Sequence, residues 1–125
     1  MHKGILKIAI ILSAVTVILG AFAAHLLKKQ ISASSMMIFE TGVRYQSYHA
    51  VALFISSFLY KDYGKRYCLI AAYLFLMGIF LFSGSLYLLA YLGSAYQWIG
   101  IITPLGGLSF IAGWGMLYLS VRQTK

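Results

Sequence analysis

The feature that most constrains this sequence is a largely apolar run from Ile8 to Ala24 that contains no charged side chain. About 20 helical residues, each rising ~1.5 Å, cross the ~30 Å hydrocarbon core of a bilayer, and a helix satisfies its own backbone hydrogen bonds there. The rest of the chain is similar in character, because 62% of its 125 residues are hydrophobic and only 10% are charged. Soluble domains carry roughly 25% charged residues. The sequence therefore predicts an integral membrane protein.

Basic clusters and turn residues divide the chain into four predicted helices, at about residues 4–25, 36–60, 67–92 and 103–121. Ser34 or Ser35 is the expected N-cap of the second helix, because a serine oxygen accepts a backbone N–H bond at that position. Thr103 followed by Pro104 predicts the start of the fourth helix, with the threonine as N-cap. We therefore expect an all-α fold, a four-transmembrane-helix bundle that forms a single integral membrane domain over residues 1–125.

The basic residues are distributed unevenly around these helices. Four crossings would put both termini and the turn 61–66 on one side of the membrane, which then carries seven basic residues against two on the other side. The seven are Lys3, Lys7, Lys61, Lys65, Arg66, Arg122 and Lys125, and the two are Lys28 and Lys29. Because cytoplasmic loops carry the excess of Lys and Arg, both termini are predicted to be cytoplasmic. The net charge of +8 is then a topology signal, and we expect no nucleic-acid partner.

The first apolar run also has a second interpretation. A basic start, an apolar run and the segment Ala21-Phe22-Ala23 together resemble a signal peptide with its cleavage site. The run is long for a signal peptide, and Gly20 and Ala24 have the four-residue spacing of small residues at which helices approach closely. We favour a retained span, and an intact mass lacking the first 23 residues would support cleavage instead.

Polar side chains are concentrated at the start of the second predicted helix. On a helical wheel, Glu40, Arg44 and Tyr48 share one stripe, and Tyr45 and His49 lie on a second stripe almost opposite. A charged side chain at the membrane centre costs about 2.5–3.5 kcal/mol on insertion scales. We therefore expect neighbouring helices to shelter these groups, and an ion pair to join Glu40 to Arg44. The alternative is that Arg44 binds an anionic lipid headgroup or a small solute.

His49 lies about two turns deeper than Glu40. The structural interpretation is an imidazole hydrogen-bonded to a neighbouring helix, and the functional alternative is a proton relay with Tyr45 and Gln46. Haem ligation by His25 and His49 is disfavoured because the two residues lie at different predicted depths. The single cysteine, Cys68, has no intrachain partner for a disulfide, and the sequence shows no metal-ligand spacing.

The third and fourth predicted helices are rich in small residues and hydroxyl groups. Ser83, Gly84 and Ser85 gather in the outer half of the third helix, and close packing with interhelical hydrogen bonds explains them best. The residues that we expect at helix contacts are Gly20, Ala24, Gly84, Pro104, Gly106, Gly107, Gly113 and Trp114.

Four segments together resemble a known family. They are Gly20 to His25, Phe39 to Ala50, Phe82 to Tyr87, and Ile102 to Gly107 with Gly113-Trp114. Their order and spacing are similar to those of the small four-helix membrane proteins of the domain of unknown function 423 family, the YgdD/YwdK-like proteins. Ala23 stands where the family usually has glycine. The resemblance implies an integral inner-membrane protein of bacteria without an established activity, and a staphylococcal member is regarded as supporting membrane integrity.

The residues that could form a functional cluster lie toward the outer half of the predicted bundle. They are His25, Glu40, Arg44, Tyr45, Gln46, His49, Ser83, Ser85, Tyr87 and Thr103. The sequence has no nucleophile–base pair and no carboxylate dyad, so we predict that the protein is not an enzyme and needs no cofactor.

Our leading hypothesis is a membrane protein that supports envelope integrity or accompanies a membrane complex. The alternative is a small transporter or proton/ion pathway that uses His49, Arg44 and Glu40. Expected partners are the lipid bilayer, anionic lipid headgroups, and either a second copy of the chain or another membrane protein.

Overall fold

Four long helices make up the computed structural model, which describes residues 1–123. They are α1 (Lys3–His25), α2 (Ala33–Leu59), α3 (Lys65–Leu92) and α4 (Ile102–Arg122). Short 3-10 segments, Leu27–Lys29 and Ser94–Ile101, complete the connections that follow α1 and α3. The all-α prediction is confirmed. Lys125, one of the seven basic residues counted above, lies outside the described residues.

Three of these helices are long and apolar enough to cross a membrane. The candidate spans are Lys3–Lys29, Lys65–Leu92 and Ala95–Arg122. α2 is equally long, at 27 residues, but Arg44, Gln46 and His49 interrupt its apolar character. The composition of the helices therefore supports three of the four predicted crossings, and the crossing of α2 stays a prediction.

Two helix starts differ from the sequence prediction. α2 begins at Ala33, and its N-cap is Ser32, whose side chain accepts a hydrogen bond from the backbone N–H of Ser35 at 3.1 Å. Neither Ser34 nor Ser35 is the cap, because the helix starts one turn earlier than expected. α4 begins at Ile102 as a continuation of the preceding 3-10 segment, so Thr103 already lies inside the first turn.

α3 is not a regular helix throughout. Ile79–Ser83 forms a π-helical turn between the α-helical segments Lys65–Gly78 and Gly84–Leu92. A π turn shifts the phase of the residues that follow it, and such turns are frequent at functional sites. Ser83 and Ser85, on either side of the junction, are both buried. No feature of the sequence predicted this irregularity.

The helices pack mainly as successive neighbours, α1 on α2, α2 on α3 and α3 on α4. The larger apolar cluster includes Ile5, Leu53, Phe75 and Leu117, and the smaller one consists of Ala23, Leu27, Phe39 and Ala90. These two sets lie toward opposite ends of the helices, because α1 contributes its start to the first and its end to the second. Polar residues such as Thr16 and Gln46 come between them along the chain, so the core contains a polar layer between two apolar layers.

Both described ends of the chain lie at the same end of the bundle. The N–H of His2 donates to the carbonyl of Ser57 at 2.9 Å, and the Ser57 hydroxyl donates to the carbonyl of His2 at 3.0 Å. The N–H of Gly64, in the turn after α2, donates to the carbonyl of Ser120 at 3.3 Å. The start of α1, the end of α2, the start of α3 and the end of α4 are therefore neighbours.

Several glycines permit close helix contacts. A Cβ atom at Gly113 would lie 2.6 Å from the Phe75 ring, and one at Gly42 would lie 2.7 Å from the Tyr87 ring. A Cβ at Gly106 would collide with the backbone of Phe82. Gly106 and Gly113 were expected at contacts from the sequence, whereas Gly42 was not.

Other residues that we expected at helix contacts lie elsewhere. A Cβ at Gly84 would meet nothing within 4 Å, and Ala24 and Pro104 are exposed. Ala23 faces the core instead of Ala24, because the buried side of α1 is one residue out of phase with the small-residue pattern. A Cβ at Gly20 or Gly107 would make only ordinary contacts, at 3.9 and 3.8 Å.

Candidate functional site

Gln46 is the centre of the polar layer and is only 3% exposed. Its Nε2 donates to Thr16 Oγ1 at 3.0 Å and to the carbonyl of Leu12 at 3.3 Å, and its Oε1 accepts from the Tyr87 hydroxyl at 2.8 Å. A carbonyl oxygen only accepts, so the Leu12 contact fixes which end of the amide faces α1. One side chain on α2 thus bonds to both α1 and α3.

A second contact fastens α2 to α3 one turn earlier in α2. The Ser83 hydroxyl, in the π turn, donates to the carbonyl of Gly42 at 2.7 Å. The missing side chain at Gly42 lets the Tyr87 ring approach, and that ring also packs on Phe39 at a centroid distance of 4.9 Å. The glycine, the serine and the tyrosine therefore act together to position the Tyr87 hydroxyl against Gln46.

His49 joins α2 to α4 and is 5% exposed. Its Nδ1 lies 2.7 Å from the carbonyl of Tyr45, and Trp114 Nε1 donates to its Nε2 at 3.3 Å. Because the carbonyl only accepts and the indole only donates, the hydrogen of the imidazole is on Nδ1. The ring also stacks on Phe110, with centroids 3.4 Å apart and planes 6° from parallel. The bond from Trp114 is of the kind that the structural interpretation of His49 expected, an imidazole hydrogen-bonded to a neighbouring helix.

The proton relay that we considered does not form within the described part of the chain. His49 contacts Tyr45 through the backbone carbonyl, whereas the Gln46 side chain points to Thr16 and Tyr87. His25 is exposed at the end of α1, away from the buried imidazole. The structure thus does not bring the two histidines together.

Hydroxyl groups also connect α3 to α4. Ser85 donates to the carbonyl of Phe82 at 2.9 Å and lies 2.6 Å from the Thr103 hydroxyl, so Thr103 donates to Ser85. Ser109 donates to the carbonyl of Leu74 at 2.7 Å. Thr103 was expected as a helix cap and instead forms an interhelical bond, because α4 starts before it.

The prediction that Glu40 and Arg44 form a sheltered ion pair is wrong. Both side chains are exposed, and no ion pair involves either of them among residues 1–123. The reason is the orientation of α2, which turns Gly42, Gln46 and His49 toward the other helices and the Glu40–Arg44 stripe away from them. Neighbouring helices therefore shelter one polar stripe of α2 and leave the other uncovered.

One member of the polar layer, Thr16, was not among the residues expected from the sequence. A signal for Thr16 was available, since it is one of only two hydroxyl residues, with Ser13, in the run from Ile8 to Ala24. Ser13 bonds within α1 to the carbonyl of Ala9 at 2.8 Å. The sequence does not tell which of the two hydroxyls faces Gln46.

Two surface grooves adjoin the polar layer. One, of about 420 Å³, is lined by Ser47, Tyr48, His49, Val51 and Trp114. The other, of about 180 Å³, reaches Gln46 and Tyr87 beside the open position at Gly84. Both grooves border residues whose buried polar atoms already have partners, because no buried side-chain nitrogen or oxygen lacks one among the side chains that the structure describes, residues 1–93 and 95–123.

These features define a class: a small all-helical membrane protein whose helices are joined by buried side-chain hydrogen bonds. The chain belongs to the family described as Protein of unknown function (DUF423), whose model matches residues 19–107. This confirms the family that the sequence motifs indicated.

Relatives cover nearly the whole chain. The UPF0382 membrane protein YwdK of Bacillus subtilis is 41% identical over 120 residues, which are 92% of this chain and 96% of the relative. The UPF0382 inner membrane protein YgdD of Escherichia coli (strain K12) is 36% identical over 109 residues, 87% of this chain and 82% of the relative. No solved structure matches the chain. The protein is therefore a small membrane protein of a family to which no activity is assigned.

Proposed function

We propose that the protein crosses the bacterial plasma membrane four times, with both termini in the cytoplasm. Support comes from the neighbouring positions of the described chain ends and of the turn after α2. That end of the bundle carries Lys3, Lys7, Lys61, Lys65, Arg66 and Arg122, against Lys28 and Lys29 at the other end. α2 crosses although it is the least apolar helix, because its buried polar side chains bond to α1, α3 and α4.

The protein acts within the membrane as a non-enzymatic structural component that supports the integrity of the envelope. The observation that carries this proposal is the use of the buried polar groups. Four buried side chains each form a hydrogen bond to a helix other than their own. They are Gln46, Ser83, His49 and Ser109. Such bonds stabilise helix association in lipid, and they leave these groups engaged in packing rather than available to a substrate. The basic end then contacts anionic headgroups of the inner leaflet.

A transporter or proton/ion pathway through His49, Arg44 and Glu40 is the competing hypothesis. A relay through His49 would have to break the bond from Trp114, because the imidazole gains a second N–H when it accepts a proton. Arg44 and Glu40 lie on the opposite, exposed stripe of α2. These three side chains therefore do not line one route through the bundle.

Deletion of the gene in the native bacterium tests the proposal. We expect greater uptake of a membrane-impermeant dye in the deletion strain, and normal uptake when the wild-type gene is restored. His49→Phe, which keeps an aromatic ring but removes the bond from Trp114, should restore function only in part. Unchanged dye uptake after deletion would contradict the proposed role.

Purified protein in liposomes distinguishes the competing hypothesis. Wild type, His49→Ala and Arg44→Ala should all give background flux of protons and small ions. Flux in the wild type that either substitution abolishes would establish transport and overturn the structural role.

A further inference from the structure

One face of α2 carries both charges and large apolar groups, and no other helix of residues 1–123 covers it. The exposed residues Met37, Glu40, Arg44, Tyr48, Val51 and Phe58 recur at helical spacing and form a single stripe, named here the exposed α2 stripe. Met37 is 69% exposed, and Tyr48 and Phe58 are each 56% exposed. The outer half of the stripe is polar and its inner half is apolar.

The position of the stripe in the membrane follows from the proposed four-crossing topology, on which this inference rests. With Leu59 at the inner boundary, Arg44 lies about 22 Å and Tyr48 about 16 Å from that boundary in a core of ~30 Å. Glu40 lies about 28 Å away, next to the outer boundary. Arg44 and Tyr48 thus face the hydrocarbon core, where a charged side chain needs a partner.

The charges of the stripe are complementary to those of a second copy of the same stripe. Two chains inserted in the same direction are related by a two-fold axis along the membrane normal, so their α2 helices run parallel and corresponding residues lie at the same depth, one turn from the residue of opposite charge. Glu40 of one chain then comes within reach of Arg44 of its partner, and the reverse pair forms by symmetry. Within the described residues of one chain, the two side chains form no ion pair.

The apolar part of the stripe fits the same occupant. Val51 lies about one turn and Phe58 almost three turns below Tyr48. Both are exposed and give the inner half of a parallel contact an apolar surface. The groove of about 420 Å³ beside Tyr48 and Trp114 borders the stripe and offers room for an aromatic side chain of the facing helix. Lipid could cover the apolar half alone, but its acyl chains supply no carboxylate to Arg44 within the core.

We propose that the exposed α2 stripe is a dimer interface at which Glu40 and Arg44 of one chain pair with Arg44 and Glu40 of a second copy. The two-fold arrangement buries both charges in reciprocal ion pairs. It also removes from lipid a helix face that carries two charged side chains.

Charge reversal with mixed chains tests this pairing directly. Glu40→Arg leaves only positive charges on the stripe and Arg44→Glu leaves only negative ones, so each variant alone should lose roughly tenfold in self-association. Co-expressed with different tags, the two variants should associate as well as the wild type, because every pair is again of opposite sign. Lys28→Glu, an exposed charge outside the stripe, is the matched control and should associate normally.

Cysteine cross-linking locates the interface without disturbing the charges. In a Cys68→Ala background, Val51→Cys should form a disulfide-linked dimer in native membranes under mild oxidation, since Val51 lies on the stripe. Val17→Cys on α1 and Ile111→Cys on α4 are 72% and 70% exposed and should stay monomeric. Equal cross-linking at all three positions, or no gain of association by the mixed charge variants, would overturn the interface.

Accessibility of both termini to a membrane-impermeant label, in intact and in opened cells, separates the two proposals. Termini on the cytoplasmic side together with failed cross-linking would reject the dimer and leave the topology standing. Termini on different sides would reject the topology, and the depth argument for the stripe with it.

Discussion

Replacement of Gln46 by leucine tests the polar layer most directly. The substitution removes three hydrogen bonds, to Leu12, Thr16 and Tyr87, while it keeps a side chain of similar bulk. Interhelical hydrogen bonds in membranes average about 0.6 kcal/mol, so three contribute about 2 kcal/mol. The Tyr87 hydroxyl left without its acceptor adds about 1 kcal/mol, near the lower end of the cost of an unsatisfied buried group. We expect Gln46→Leu to lower the free energy of unfolding by about 3 kcal/mol.

The assay is reversible unfolding in mixed micelles by titration with sodium dodecyl sulfate, followed by helical circular dichroism. Gln30→Leu, at an exposed position in the connection after α1, is the control and should stay within ~0.5 kcal/mol of wild type. A double-mutant cycle with Tyr87→Phe should give a coupling energy of about 1 kcal/mol. Wild-type stability of Gln46→Leu, or no coupling to Tyr87, would refute the network.

Two further substitutions test the contacts of α4. Gly113→Ala should lower stability by about 1–3 kcal/mol, because its new Cβ would lie 2.6 Å from the fully buried Phe75 ring. Gly115→Ala, where a Cβ meets nothing within 4 Å, should instead raise stability by up to about 1 kcal/mol. Equal changes in stability for the two alanine variants would contradict the close packing of α3 against α4 at Gly113. Trp114→Phe keeps the aromatic ring but removes the donor to His49, and the same unfolding titration should record a loss of about 1 kcal/mol. No loss would show that the indole bond does not stabilise the helix pair.

The sequence predicts where a helix lies when the segment carries no charge. It predicts the residue at which a helix begins less well. The charge-free run from Ile8 to Ala24 allows no structure other than a helix in a membrane, and α1 contains it. The start of α2 was misplaced because three serines, Ser32, Ser34 and Ser35, all have the chemistry of an N-cap. Only the backbone decides among them, and Ser32 has the extended conformation, with φ −65° and ψ 160°.

The candidate site was only partly predictable for a different reason. The sequence separates the two polar stripes of α2 correctly, but both contain groups that are costly in lipid, so the pattern does not tell which stripe is buried. The answer depends on contacts distant in sequence: Gly42 admits the Tyr87 ring, and Gln46 reaches Thr16. The π turn at Ile79–Ser83 is equally invisible in the sequence, although it carries the Ser83 bond to Gly42.

Under the proposed four-crossing topology, hydropathy underestimates the tendency of α2 to cross the membrane, because it counts buried, hydrogen-bonded polar side chains as a cost. Gln46 and His49 lower the apolar character of this helix, yet they are buried and bonded to α1, α3 and α4. An isolated α2 would have to leave these groups without partners in lipid, which is unfavourable. Arg44 differs from them, since no residue in the described part of the chain supplies its partner. Under the proposed topology and the proposed dimer, a stable position for α2 in the membrane depends on the assembled bundle for its buried stripe and on a second copy of the chain for its exposed one.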